Sequence, residues 1–113
     1  MEESRNPINE VNAIREVLEL YIEGSRVGDR AKLEGAFHPQ CRIFGEANGQ
    51  RLDVSRDEFL SIACAAPLGS ANSYRARVAS LHQTGKAAAA MIVEDGCWGQ
   101  VSFVDYMTLA KID

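Results

Sequence analysis

The feature that most constrains this chain is a change in the spacing of its apolar residues. Over the first quarter they recur every three or four positions: Ile8, Val11, Ile14, Val17, Leu18, Tyr21 and Ile22. That spacing puts them on one stripe of an α-helix from Pro7 to about Val27. Near the C-terminus the period falls to two. Phe103, Asp105 and Met107 alternate with Val104, Tyr106 and Thr108, as the two faces of a strand require. A helix with one apolar stripe and a sheet with one apolar face each need a partner. Together they predict an α+β fold in which early helices cover a late, curved antiparallel sheet.

The punctuation between these ends supplies the rest. Asn6-Pro7 is a helix start, with Asn6 as N-cap and Pro7 in the first turn. Gly28 breaks the helix, and Asp29 caps a second one carrying Leu33, Ala36 and Phe37, which Pro39 terminates. Cys41 to Ala47 and Gln50 to Val54 read as strands around an Asn48-Gly49 tight turn. Ser55 with Glu58 forms a capping box ahead of a third helix holding Phe59, Leu60 and Ile62. Pro67, Gly69, Ser70 and Asn72 mark a loop. Three strands follow: Tyr74 to Thr84, Ala87 to Glu94 and Gln100 to Lys111. Their turns are expected at Thr84-Gly85-Lys86 and Asp95-Gly96. The four alanines 87–90 favour helix by propensity, but Gly85 before them and Ile92-Val93 after them favour a strand.

Composition bounds the function. The chain has 113 residues, enough for the single domain, 1–113, that is expected here. With 12 basic against 16 acidic residues, the net charge is -4. Nucleic-acid and anionic-membrane partners, which need a basic surface, are not expected. No apolar run approaches the ~20 residues of a bilayer span, and the polar start does not read as a signal peptide. Cys41, Cys64 and Cys97 form no close pair, so reduced thiols and a cytoplasmic setting are expected. Neither cysteines nor His38 and His82 have zinc-ligand spacing. No cofactor is expected, since phosphate-loop, dinucleotide and nucleophile-elbow motifs are missing.

The order of elements resembles the nuclear transport factor 2-like superfamily, whose fold is a cone-shaped curved sheet on N-terminal helices. The resemblance rests on Tyr21-Ile22-Glu23-Gly24 through Gly28-Asp29, on Ala36-Phe37-His38-Pro39, and on the tail from Phe103 to Asp113. It runs from about Asn9 to Asp113 and is greatest to the subgroup called "putative lumazine-binding". Members continue past a Lys-Ile-Asp ending into a Gly-x-Trp turn and a last strand. Here the sequence stops at Asp113, so that strand is absent or lies beyond the sequence given.

A more distant resemblance, to ketosteroid isomerase, implies roles for individual residues. Its oxyanion-hole tyrosine falls at Tyr21 and its hydrogen-bond-donating aspartic acid at Asp105. Its general base falls at Gly45, which has no side chain to take a proton. Strand alternation sends Glu46 to the opposite face. Tyr21 and Asp105 are therefore the candidates for catalysis or ligand contact, without the base of that reaction. From the residues alone, Tyr21 reads equally as core with a bonded hydroxyl. Asp105, flanked by apolar residues, needs a partner such as Tyr21, Arg42, Arg75 or Arg77. If Tyr21 is the partner, the Asp105 carboxyl is expected to hold its proton.

An apolar pocket is expected between helix one and the sheet, walled by Val17, Tyr21, Phe37, Ile43, Ala88, Ala90, Phe103 and Met107. Its occupant would be a small apolar molecule carrying a polar oxygen. Three functions compete: a binding module, a cofactor-free enzyme (isomerase, dehydratase, cyclase or epoxide hydrolase), and an assembly domain. The sheet face bearing Val104, Tyr106 and Thr108 predicts a homodimer. His38 is expected to bond the carbonyls ending the second helix, His82 to be exposed, Cys64 to be core, and Trp98 to cover either a pocket mouth or a dimer contact.

Overall fold

The computed structural model of the protein describes residues 7–112; the proposed N-cap Asn6 and the terminal Asp113 lie outside them. Helix α1 spans Pro7–Val27. Its stripe is buried at Leu18, Tyr21, Gly24 and Ser25. Gly28 ends it at φ 74, with its N–H donating to the Gly24 carbonyl at 2.8 Å, a glycine C-cap in the left-handed region. Asp29 then caps α2, Arg30–Ala36, by accepting from the Lys32 N–H. Strands β1 (Arg42–Ala47) and β2 (Gln50–Ser55) form a hairpin. Its two-residue turn, Asn48-Gly49, has φ of 55 and 78, the pairing that suits right-handed strand twist. Ser55 closes β2 and opens α3, Arg56–Ala65, through the expected capping box with Glu58.

A 3-10 turn, Leu68–Ser70, leads to the meander β3 (Arg75–Thr84), β4 (Ala87–Cys97) and β5 (Val101–Ala110). All pairings are antiparallel. Among the described residues the strands form two separately bonded sheets, β1-β2 and β3-β4-β5. The core of Leu18, Tyr21, Leu33, Leu60, Ala90 and Ile92 lies between the helices and the larger sheet. Burying each leucine contributes about 1.5–3 kcal/mol. Residues Phe37, Phe59, Val78, Leu81, Met107 and Leu109 pack around it half-buried. The fold is thus α+β, with N-terminal helices on a curved antiparallel sheet.

Two details differ from the sequence reading. Asp95-Gly96 is not the turn. The pairing of β4 with β5 is interrupted between Glu94 and Cys97, a bulge inside the strand, and Gly96 there sits at φ 66 against the Ser73 backbone. The chain reverses three residues later than expected, at Trp98-Gly99-Gln100, with φ of 53 and 88 at Trp98 and Gly99. The second difference is His38. The Leu33 carbonyl ending α2 is taken by the Phe37 N–H, while His38 Nδ1 accepts from the Gln40 N–H at 3.0 Å. The side chain therefore braces the next turn, not the helix.

Candidate functional site

Strand alternation builds the site. On β4 the residues facing the helices are Ala88, Ala90, Ile92 and Glu94; on β5 they are Phe103, Asp105, Met107 and Leu109. Asp105 pairs with Ile92, and Phe103 with Glu94. Asp105 and Glu94 are therefore diagonal neighbours on one sheet face, within reach of each other. Helix α1 crosses this face antiparallel to β5: Glu10 meets Lys111 at 2.8 Å near one end, and Tyr21 meets Asp105 farther along.

The Tyr21 hydroxyl donates to Asp105 Oδ2 at 2.5 Å. Asp105 stands diagonally beside Glu94 across the β4-β5 ladder, where the two carboxyls act on each other, and Tyr74, just ahead of β3, donates to Glu94 Oε2 at 2.7 Å. Four groups from α1, the β3 approach, β4 and β5 thus form one polar cluster. Glu94 is 2% exposed and Tyr21 5%, whereas Asp105 is half-buried. Of the partners weighed for Asp105, Tyr21 holds it. Arg42 pairs with Asp53 at 3.0 Å, Arg75 with Asp95 at 3.1 Å, and Arg77 is exposed.

Burial sets the electrostatics, and among the described residues no cation acts on Tyr21, Tyr74 or Glu94. Burial, then the hydrogen bond and charge of Asp105, pushes the Glu94 carboxyl up to about 8, against a partial lowering by Tyr74. At neutral pH, Glu94 therefore holds a proton that it can donate to Asp105. Burial first, then Asp105 and Glu94, holds the Tyr21 hydroxyl well above its ordinary value. Tyr74 is raised by burial and by Glu94. Cys97, fully buried, is pushed up to about 11 by burial and then by Glu94, so its thiol stays protonated and is no nucleophile at neutral pH.

The remaining expected residues divide. Val17 and Ala88 line a groove of about 260 Å³ between the first half of α1 and the β3-β4 turn, with Ile14, Leu109, Lys86 and Lys111. Val17 is one helical turn from Tyr21, and Leu109 is four strand residues from Asp105. The groove does not include Tyr21, Phe37, Ile43, Ala90, Phe103 or Met107, nor does Asp105 line it. Phe37 instead sits edge-on to Tyr21 at 5.6 Å and to Phe59 at 5.5 Å. Ile43 is half-buried on β1, and Met107, opposite Ala90, packs against the core. Phe103 meets Trp98 edge-on at 5.7 Å. A larger hollow of about 490 Å³, among Arg15, Glu16, Glu19, Leu20, Glu23 and Lys32, lies on the face of α1 turned away from Tyr21 and touches none of the four groups.

Gly45 is exposed, with open space around it, so β1 brings no base to the site. His82 is exposed, and Cys64 is half-buried against the core. Trp98 Nε1 donates to the Ala66 carbonyl at 2.9 Å, and its own N–H to the Leu68 carbonyl at 3.0 Å. It pins the β4-β5 hairpin to the end of α3. Cys41, Cys64 and Cys97 are free thiols. Among the described residues no three His, Cys, Asp or Glu side chains gather where a metal could bind, and no helix is long and apolar enough to cross a membrane.

Solved structures share this architecture. An NTF2-like protein of unknown function from Shewanella baltica is 26% identical, with a TM-score of 0.83 over 97% of this chain and 88% of its own. One from Silicibacter pomeroyi, also of unknown function, is 24% identical, with a TM-score of 0.82 over 94% and 87%. A third, from Methylobacillus flagellatus, is 21% identical, with a TM-score of 0.82 over 94% and 83%. No curated protein matches. The model of the family described as "putative lumazine-binding" matches residues 9–113, and the chain belongs to that family, within the NTF2-like superfamily.

Proposed function

We propose that the chain is a small-molecule-binding domain that holds an apolar ligand between α1 and the larger sheet, with Tyr21 and Asp105 as its polar end. The observation that carries this reading is the Tyr21–Asp105 hydrogen bond, 2.5 Å long and set among half-buried apolar side chains. Burying a carboxyl in a sheet face costs several kcal/mol unless it is satisfied, and apolar residues would fill that space more cheaply. Convergent polar groups in an apolar surround are the usual makings of a ligand site. The half-buried Phe37 and Met107 near them, and the groove ending at Val17 and Leu109, supply apolar surface for the body of a ligand. A carbonyl oxygen on that ligand would accept from the Tyr21 hydroxyl in place of Asp105, and a ligand hydroxyl would donate to Asp105. The family description names lumazine; a flat heteroaromatic of that kind is one member of the class.

A second reading, a cofactor-free enzyme, is favoured by one observation: Glu94 holds a proton that titrates near 8, close to where a general acid or base works best. The outer sheet face, with Val104 54% and Tyr106 79% exposed, suits a homodimer contact. The binding reading is tested by fluorescence titration with 2-acetylnaphthalene, a neutral aromatic ketone. Saturable binding that Asp105→Asn or Tyr21→Phe weakens at least fivefold supports it. Absence of binding at millimolar ligand, or affinity indifferent to both substitutions, contradicts it.

A further inference from the structure

We infer that Glu94 is a positioning residue for the Tyr21–Asp105 site, holding the proton that sets the charge a ligand meets there. The inference rests on the binding reading above and adds its regulation by pH. Asp105 is the half-exposed member of the cluster of four groups, while Glu94 lies behind it at 2% exposure. Glu94 does not meet the ligand; it acts through Asp105. Two carboxyls side by side on a buried sheet face must share a proton or repel each other, and the described side chains acting on Glu94 are Asp105 and Tyr74, neither of them a cation.

The groups facing Glu94 come from every neighbouring element: Tyr21 on α1, Tyr74 before β3, Cys97 at the end of β4 and Asp105 on β5. All are neutral or anionic, so none stabilises an ionised Glu94 by charge. Tyr74 fixes the Glu94 carboxyl from the far side, leaving its proton directed to Asp105. With Tyr21 donating to Asp105 and Tyr74 to Glu94, the two carboxyls share one proton, and the pair carries one negative charge. Loss of the Glu94 proton leaves two.

A neutral ligand seated over Asp105 displaces water from the pair. That is tolerable with one charge and costly with two, so the bound state retains the proton to higher pH than the free state. By linkage, ligand affinity must fall where the free protein loses that proton. Below the transition the affinity is level; above it the affinity falls by up to about tenfold per pH unit.

The test uses the whole chain and two readouts. Carbon-13 NMR follows the side-chain carboxyl carbons of Glu94 and Asp105 from pH 4 to 10 in the free protein. The inference expects Glu94 to titrate far above the ordinary carboxylate range, with the Asp105 carbon moving at the same midpoint. In parallel, 2-acetylnaphthalene affinity is measured from pH 6 to 9.5. A fall above the Glu94 midpoint that Glu94→Gln abolishes supports the inference. Glu94 titrating near 4.5, an Asp105 carbon silent through the Glu94 transition, or an unchanged affinity profile in Glu94→Gln overturns it. If the ketone binds at no pH, the binding reading fails, and the carboxyl titration still decides whether Glu94 holds the proton. That titration also stands if Glu94→Gln fails to fold.

Discussion

Tyr21 and Asp105 lie 84 positions apart in sequence, and the tyrosine hydroxyl donates to the aspartate at 2.5 Å. This bond joins the middle of α1 to the centre of β5, so it reports on how the helix sits on the sheet. Tyr21→Phe keeps the ring and its edge contact with Phe37 and removes only the donor. It should lower stability by about 1–3 kcal/mol, the range for leaving a buried polar group without its partner. Among the described residues no arginine pairs with Asp105, so Asp105→Asn strands no described cation and should cost about 1 kcal/mol or less at pH 7. The two should be non-additive, with a coupling of about 0.5–2 kcal/mol. Urea unfolding of the four proteins in the cycle measures it; strict additivity would mean the bond contributes nothing.

Glu94 gives stability a defined pH dependence. Its folded-state value, about 8, lies above its ordinary 4.5. A raised carboxyl favours the fold fully below 4.5, where both states are protonated. That contribution is lost progressively as pH climbs from 4.5 to 8, since only the unfolded chain ionises, and it is spent above 8. The expected decline from this group is up to about 1.4 kcal/mol per pH unit. Glu94→Gln, which can still accept from Tyr74 and donate to Asp105, should flatten the profile and leave the variant more stable than wild type at pH 8. Denaturant midpoints at pH 5, 6.5 and 8 check this; parallel profiles for the two proteins would refute it.

Gly24 should resist substitution. A Cβ there would stand 2.8 Å from Leu33 Cγ and 3.3 Å from the Asp29 carbonyl oxygen, and Leu33 is fully buried. Alanine gains about 1 kcal/mol of helix propensity over glycine. Overpacking α1 against α2 costs about 1–3 kcal/mol and should outweigh that gain. A melting temperature of Gly24→Ala lower than wild type is expected; a higher one would show that α2 yields freely.

The outer face of the larger sheet should mediate self-association. Tyr106 and Val104 stand exposed there, opposite Met91 and Val93 across the β4-β5 ladder. Light scattering at roughly 50 μM should give a dimer mass, and Tyr106→Lys should give a monomer of unchanged helicity, since burying an unpaired ammonium at the contact costs several kcal/mol. A wild-type monomer at that concentration would rule the contact out.

The legible parts of this fold were those set by short-range chemistry. The limits of α1, the Asp29 cap, the Ser55–Glu58 capping box and the Asn48-Gly49 turn each depend on neighbours within four residues. The alternation of β5 put Asp105 and Met107 on the inner face for the same reason. Glu94 escaped notice although Ala88, Ala90 and Ile92 already pointed to it by alternation. Asp95-Gly96 carries the composition of a turn, and a residue beside a turn reads as exposed. Only the pairing of β4 with β5 shows that the glycine serves a bulge and that the strand continues to Cys97. The meeting of Tyr21 with Asp105 came from resemblance, since no local pattern links residues on a helix and a distant strand. The groove is likewise a property of how elements pack, so Val17 and Ala88 line it while Tyr21, Phe37, Ile43, Ala90, Phe103 and Met107 do not.

The central claim is that Tyr21 and Asp105 form the polar end of a ligand site. A crystal structure of the protein grown with 2-acetylnaphthalene tests it most directly. The account predicts the naphthalene ring between α1 and the sheet, near Phe37 and Met107, with the ketone oxygen within about 3.2 Å of the Tyr21 hydroxyl. A ligand found only on the outer sheet face or in the charged hollow of α1, with Tyr21 and Asp105 sealed from it, would contradict the claim.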